Sequence, residues 1–542
     1  MKTKIPLAII IAGMLLYSCT PAGGMKGAVD RPDVYDVIVV GAGGGGLGAA
    51  ARLTRAGKRV LVIEQHHRPG GYMTCFERGD YRFEVSLHAI DGLDPGGLTY
   101  DFFHQLGIYD RIQPVRLDPM YRAVFPELVM DVPADTQAYA RRLKEQFPDE
   151  AEGIDDLLAA FNRLYLVMKP GMNFMNGHTL SGIWGGFRHP WCLATLLRNW
   201  NATAGEMVGR YIRDKRLIQI FTQLAGFLGD GPDSISAPVF AVMWNSYHRH
   251  GYYYIEGGSQ AVSDALAAVI KENGGEILLS TRVTEILVED GVASGVRTND
   301  GRKFSSRYVI SNANAPDTLF KLVGKRHLPA DYTASVERMQ VGASALVVYL
   351  GVDHDFRADF TGSHEIFVNL AGDGSRAADF SAIRSVNADV NEIPYVIADY
   401  SVVDPSCAPA GKNVICLTTI LPYEWQQGWY EDKGYEQYRQ LKNAVGLQLV
   451  GRAEAFLPGL NDHIEVMEVG SPRTMKHYTL NPKGAIIGWA NTPEQSLFNR
   501  LPQETPIDNL FLAGAWTFPC GGQSAVIMSG VFAADKVLAD MD

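Results

Sequence analysis

Residues 35 to 64 constrain this chain more than any other stretch. An apolar run, Val37-Ile38-Val39-Val40, leads into Gly41-Ala42-Gly43-Gly44-Gly45-Gly46, a helical pattern follows to Ala56, and a second apolar run, Val60-Leu61-Val62-Ile63, ends in Glu64. Strand, glycine turn, helix, strand and acid, in that order, form the first unit of a doubly wound sheet that binds a dinucleotide. Gly41 permits the tight turn, Gly43 lets the backbone approach a pyrophosphate, and Gly46 lets the helix lie close on the sheet. The helix start offers unpaired N–H groups and a positive dipole end to the phosphates. Glu64 stands where an acid accepts hydrogen bonds from the adenosine ribose. Glycines alone are weak evidence; the flanking strands and the acid make the pattern specific.

Further glycine turns narrow the cofactor to FAD. Arg68-Pro69-Gly70-Gly71-Tyr72 places a glycine pair just past the acid-ended strand, where a flavoprotein backbone passes close to the pyrophosphate and ribityl chain. Far downstream, Tyr254-Ile255-Glu256-Gly257-Gly258-Ser259 opens a helix that Asn273-Gly274-Gly275 ends. Ile277–Ser280 and Val283–Glu289 read as strands, with Asp290-Gly291 as a hairpin turn. Near the C-terminus, Leu510–Trp516 runs through Gly514, and Gly521-Gly522-Gln523-Ser524 opens a last helix whose dipole end suits the anionic edge of a reduced flavin.

The N-terminus speaks to compartment. Met1-Lys2-Thr3-Lys4 is basic, Ile5 to Leu16 is apolar, and Leu16-Tyr17-Ser18-Cys19 follows. That pattern is a secretory signal, and the leucine three positions before Cys19 resembles a bacterial lipobox, so Cys19 is expected to be the lipidated mature N-terminus. The run falls short of the about 20 residues of a membrane span. Residues 20–34 read as a tether. The expected location is the bacterial cell envelope, lipid-anchored on the extracytoplasmic side.

The formal net charge of −11 argues against nucleic acid as a partner. Beyond Cys19, the cysteines at 75, 192, 407, 416 and 520 lack C-x-x-C spacing, so no metal site is expected. Cys407 and Cys416 are near enough to pair in an oxidising compartment, although separate thiols are the simpler reading.

Taken together, these segments resemble the phytoene desaturase family, which includes carotenoid isomerases and all-trans-retinol saturases. The resemblance runs from Asp36 to the C-terminus and is carried by residues 35–74, Phe83-Glu84-Val85-Ser86-Leu87-His88, Gly257-Gly258-Ser259, Asp404-Pro405-Ser406-Cys407-Ala408-Pro409 and residues 512–530. It implies an α/β, two-dinucleotide-binding-domain flavoprotein. A discontinuous Rossmann-like FAD domain (35–112, 252–314, 484–542) would carry an α+β substrate domain (113–251, 315–483). His88 falls where the saturases carry a histidine, and Val283 where the family makes a backbone contact to adenine. Glu84 and Ser86 replace the family's usual Asp and Gly, and Ile255-Glu256 replaces a proline with a basic or polar residue.

The expected FAD contacts are therefore Gly41, Gly43, Gly46, Glu64, Gly70, Gly71, Val283, Gly514, Gly522 and Gln523. His88 is a candidate proton donor or acceptor, or else a hydrogen-bonded structural histidine. Glu256 is a candidate acid–base group, or else a first-turn carboxylate favoured by the helix dipole. One of Tyr252, Tyr253 and Tyr254 is a candidate phenol for the site, and Trp516 a neighbour of the flavin. Trp184, Phe187, Trp191, Leu196, Leu197 and Trp200 form an aromatic patch that suits either a lipid interface or the wall of an apolar pocket.

The expected activity is desaturation, saturation or isomerisation of carbon–carbon double bonds in an apolar, isoprenoid- or carotenoid-like substrate, by hydride transfer at flavin N5. Outside the cytoplasm, electrons would pass to or from a membrane quinone or a redox protein. Two other readings stay open: an amine oxidase-like flavoenzyme, against which Tyr72 counts because those enzymes usually place an arginine there, and a non-catalytic lipid-binding protein retaining the flavin fold.

Overall fold

The computed structural model describes residues 34–174, 190–360, 362–372 and 374–541. Its first sheet is built on five parallel strands in the order Glu276–Leu278, Val60–Ile63, Tyr35–Val40, Lys303–Ser311 and Leu510–Leu512. Val292–Thr298 and Val283–Glu289 extend it as an antiparallel flap, turning at Asp290 and Gly291, both with positive φ (51° and 82°) as a two-residue hairpin turn requires. The parallel strands come from three stretches of the chain far apart in sequence, so the sheet closes only through long-range pairing.

The apolar runs are continuous because both faces of the sheet are covered. Val37, Val39, Val60 and Val62 face the core beneath the helix Gly44–Arg55. Ile38, Val40, Leu61 and Ile63, one residue out of step, face a second core with Val283, Val296, Trp489 and Trp516. On the helical side, the last helix, Gln523–Met541, packs directly on Gly44–Arg55. A Cβ on Gly48 would lie 2.7 Å from the Ile527 carbonyl oxygen, and one on Gly530 would overlap the backbone of Gly45. Only glycine lets these two backbones approach so closely, and the contact brings both helix starts to one edge of the sheet.

A second seven-stranded sheet has the order Ile464–Gly470, Ala345–Val352, Asn413–Ile420, Tyr395–Asp399, Glu365–Val368, Tyr121–Phe125, Leu128–Val132. All neighbours are antiparallel except Glu365–Val368 with Tyr121–Phe125. Every residue of Ala345–Val352 is buried, as its apolar run requires. A small antiparallel sheet of Ile90–Asp91, Tyr252–Ile255 and Pro114–Arg116 adds a third layer.

A 3-10 turn, Pro148–Glu150, leads into a long amphipathic helix, Ala151–Phe174. Ile154, Leu157, Phe161 and Leu164 are buried on its inner face, where Phe161 packs on Trp244. Of the aromatic patch, Trp184 and Phe187 lie outside the described residues. Trp191 projects from Pro190–Asn199 with 79% of its surface exposed, whereas Trp200 stacks on Phe498. No helix among the described residues is long and apolar enough to cross a membrane. The described cysteines are all free thiols, Cys407 and Cys416 included.

Candidate active site

The carboxyl ends of the parallel strands open into a cavity of about 1490 Å³. Single-ligand pockets are typically about 300–1,000 Å³, so this one has room for a dinucleotide and a substrate together. One end is lined by Glu64, His66, Thr281 and Val283. The Glu64 carboxylate is held rigidly there, accepting the Ala42 N–H at 2.7 Å and the His66 N–H at 2.9 Å. The loop before Val283 is tied to the same place, because the Thr281 N–H donates to the Glu64 carbonyl oxygen. A fixed acid beside a strand start is the arrangement that ribose hydroxyls and an adenine edge need.

The glycine turn comes next. Gly41 has φ +91° and turns the chain off the strand; Gly43 precedes the helix without any side-chain cap, so the first N–H groups of Gly44–Arg55 are left to a ligand. Gly70 donates its N–H to the Ala42 carbonyl, and a Cβ on Gly71 would stand 3.3 Å from the Gly43 Cα, so the two glycine turns lie against each other. Gly46 does not line the cavity; a Cβ there would run into the Gly41 carbonyl, so its task is the packing of helix on strand. Asn312, at the end of the strand Lys303–Ser311, was not singled out in the sequence. Its amide sits among Gly43, Gly45 and Gly514, each of whose added Cβ would meet it. The available signal was its place at a strand's carboxyl end beside the glycine turn, where ligands of doubly wound sheets bind.

At the far end, Gly514, Trp516, Gly522 and Gln523 face Ser86 and His88. Trp516 packs edge-on against Trp489, with ring centres 4.8 Å apart. The Gln523 amide donates to Ser86 Oγ at 3.0 Å, while its own oxygen is buried without a partner. A buried polar atom seldom goes unpaired, and this one belongs to a residue of the cavity wall, available to a donor on a bound ligand. The uncapped helix start, the glycine cradle and this orphaned oxygen all fit FAD.

Glu84 and Ser86, which both depart from the family pattern, part company. Ser86 is in the cavity wall. Glu84 points away from it, accepting the Ser86 and Leu87 N–H groups, the Ser259 N–H at 2.7 Å and the Ser259 hydroxyl at 2.6 Å. It thereby caps the helix Gly258–Glu272. The expectation for Glu256 is corrected. Its side chain is exposed and lines a separate shallow hollow with Arg111 and Asp404, on the outer side of the Gly257 turn. The αL conformation at Gly257 directs the chain into the helix and leaves Glu256 outside the cavity.

His88 lines the cavity, 18% exposed, with Nδ1 donating to Glu365 Oε1 at 2.7 Å and its ring stacked on Phe227. Glu365 is fully buried and also accepts the Tyr252 hydroxyl at 2.5 Å. Burial alone would push this carboxyl up; His364, the His88 hydrogen bond and the Tyr252 phenol outweigh it and hold the group below its ordinary range. Of the three adjacent tyrosines it is Tyr252 that joins this cluster, while Tyr253 bonds Asp94. Nothing in the sequence marked Glu365: it sits 277 residues from His88. Among the described residues no group of three or more His, Cys, Asp or Glu gathers to hold a metal.

The family model for flavin-containing amine oxidoreductases matches residues 45–538. The chain belongs to that family. This flavoprotein is an FAD-dependent oxidoreductase, of the phytoene desaturase, carotenoid isomerase and retinol saturase group. It is 28% identical to a chloroplastic prolycopene isomerase of an Oncidium hybrid cultivar, over 97% of this chain and 88% of that one. It is 26% identical to the all-trans-retinol 13,14-reductase of Danio rerio, over 91% and 84%. An oxidoreductase structure from Methanosarcina mazei superposes with a TM-score of 0.58 at 18% identity, over 93% of this chain and 99% of that one, which speaks for the fold.

FAD is expected to be held without a covalent bond. Cys75 lines the cavity, but its thiol donates to Glu84 at 3.3 Å, and burial followed by the Glu84 charge pushes it far above its ordinary range. A protonated thiol is a poor nucleophile. Denaturing the yellow protein should release all of its FAD into the supernatant; flavin that stays with the precipitated chain would contradict this.

Proposed function

We propose that this flavoenzyme desaturates, saturates or isomerises carbon–carbon double bonds of an apolar, isoprenoid-like substrate. The observation that carries the reading is the continuation of the cavity past the flavin end. There it runs between His88 and the second sheet, walled by Phe227, Tyr247, Phe367, Phe380, Ile383 and Val396. Such a wall suits a long hydrocarbon and offers little to a cationic amine. The relatives named above isomerise prolycopene and reduce all-trans-retinol, both polyenes.

When bound, FAD supplies a two-electron site at which N5 takes or gives a hydride. The chain's own residues do the rest. Glu64 and the glycine turns hold the dinucleotide, the aromatic wall excludes water, and His88 carries the proton. Anaerobic mixing of the purified protein with prolycopene or all-trans-retinol, in the presence of a quinol, tests this. A changed polyene spectrum with flavin bleaching or a new isomer supports the reading; unchanged polyenes alongside amine oxidation would sink it.

The proposal extends to location. The Leu16–Cys19 motif supports export with a lipid on Cys19, and electron exchange with a membrane quinone or a redox protein. Cys19 is outside the described residues, and the motif itself supports the reading. Cys19→Ser is expected to stop acyl labelling and leave the signal uncleaved. Identical processing of wild type and variant, with no acyl label on either, would refute it.

A further inference from the structure

Glu365 lies behind the cavity wall, fully buried and hydrogen-bonded to the wall residue His88. It begins the strand Glu365–Val368, paired on both sides within the second sheet, and its side chain has no exposure. Removing a carboxylate from water costs several kcal/mol unless a counter-charge and hydrogen bonds compensate. Among the described residues no lysine or arginine forms an ion pair with it; its partners within ion-pair distance are His88 at 2.7 Å and His364 at 3.7 Å. Burial pushes His364 down toward its neutral form, and His364 Nε2 donates to the His88 carbonyl at 3.0 Å. The His88 ring, the nearer of the two and the one that lines the cavity, holds the carboxylate by a hydrogen bond and is positioned to match its charge when the ring takes up a proton.

The rest of the surroundings fix the pair in place. Tyr252 donates its hydroxyl to Glu365 from the small third sheet, with Tyr247 and Tyr121 packed against the Tyr252 ring at 5.1 and 6.0 Å. Phe227 covers one face of the imidazole. With Nδ1 committed to Glu365, Nε2 is the ring nitrogen available to the cavity that His88 lines.

We propose that Glu365 is a positioning residue for His88: it accepts the Nδ1–H, fixes the tautomer with Nε2 unprotonated toward the cavity, and faces the charge the ring gains in the reaction. This deepens the proposed function and rests on its assignment of proton handling to His88. In the step itself a C–H bond of the substrate breaks and an Nε2–H bond forms. The C–H electron pair stays on the substrate, and the imidazole becomes an imidazolium whose Nδ1–H remains on the Glu365 carboxylate. The reverse step returns the proton to carbon.

The test uses the full-length FAD-loaded protein with ¹⁵N-labelled histidine, without substrate, so that it stands apart from any assay of polyene turnover. Long-range ¹H–¹⁵N correlation should show His88 with Nδ1 protonated and Nε2 bare. Glu365→Gln should convert it to a mixture of tautomers while flavin content stays that of wild type. With all-trans-retinol or prolycopene as probe, the same variant should lose about 10²-fold or more in kcat, with KM little changed. Should Glu365→Gln fail to fold, Tyr252→Phe serves: freeing the carboxylate of one donor strengthens its bond to Nδ1–H and should move that proton downfield. Wild-type tautomer and turnover in Glu365→Gln, or an unmoved Nδ1 proton in Tyr252→Phe, would overturn the assignment. Inert polyenes with the expected tautomers would count against the proposed function and leave the positioning role standing.

Discussion

Gly45→Val is expected to give a colourless protein that added FAD does not restore. The Cβ alone would stand 2.7 Å from the Gly514 nitrogen, 2.8 Å from its Cα and 2.5 Å from the Asn312 amide oxygen. Gly514 is backbone and cannot swing aside, so the start of the helix Gly44–Arg55 must lift from the strand end that follows Leu510–Leu512. Both of these edges line the cofactor cavity. Overpacking of this kind costs about 1–3 kcal/mol of stability, which a chain of this size can survive, whereas a displaced phosphate cradle cannot bind. The ratio of flavin to protein absorbance, with thermal unfolding followed with and without added FAD, separates the two effects. A yellow Gly45→Val with wild-type stability would mean that the two edges are not in contact.

His88→Ala should keep its FAD and lose turnover. General acid–base groups contribute about 10²–10⁴-fold in rate, and a loss in that range is expected with a polyene the wild type converts. Removing the ring also strips the fully buried Glu365 of its 2.7 Å donor, a change worth about 1–3 kcal/mol, so the alanine variant should unfold at a lower temperature. His88→Gln separates the two roles: its amide can still donate to Glu365, which should return most of the stability and none of the turnover. Full turnover in His88→Gln would remove His88 from the chemistry.

The cofactor half of the site was legible because its signals are local. Glycine spacing, strand periodicity and the acid at position 64 lie within 30 residues, and the physics that fixes them is that of one strand–helix–strand unit. The acid–base cluster was not legible. Glu365 begins a strand of the second sheet, whereas Tyr252 begins a strand of the small sheet and His88 lies in the loop leading into that sheet, so their meeting depends on how the second sheet is registered against it, which no local pattern encodes. Glu256 misled for a related reason: proximity in sequence to a glycine turn says nothing about which side of that turn a side chain takes. Asn312 and Glu84 were visible as residues but silent as partners, because their contacts are with glycines and with a helix start more than 170 residues away.

The glycine contact between the first and last helices also sets a timetable. The strand Leu510–Leu512 and the helix Gln523–Met541 complete the sheet and cradle that begin at Tyr35. A ribosome delivers those residues late: the first motif emerges more than 440 residues before the surfaces that would close over it. Until then the face of Gly44–Arg55 that meets the helix Gln523–Met541 has no partner, and such exposed surface is what chaperones bind. FAD is therefore a ligand of the finished chain rather than a template for its synthesis, and loss of even the final helix would cost the protein its cofactor.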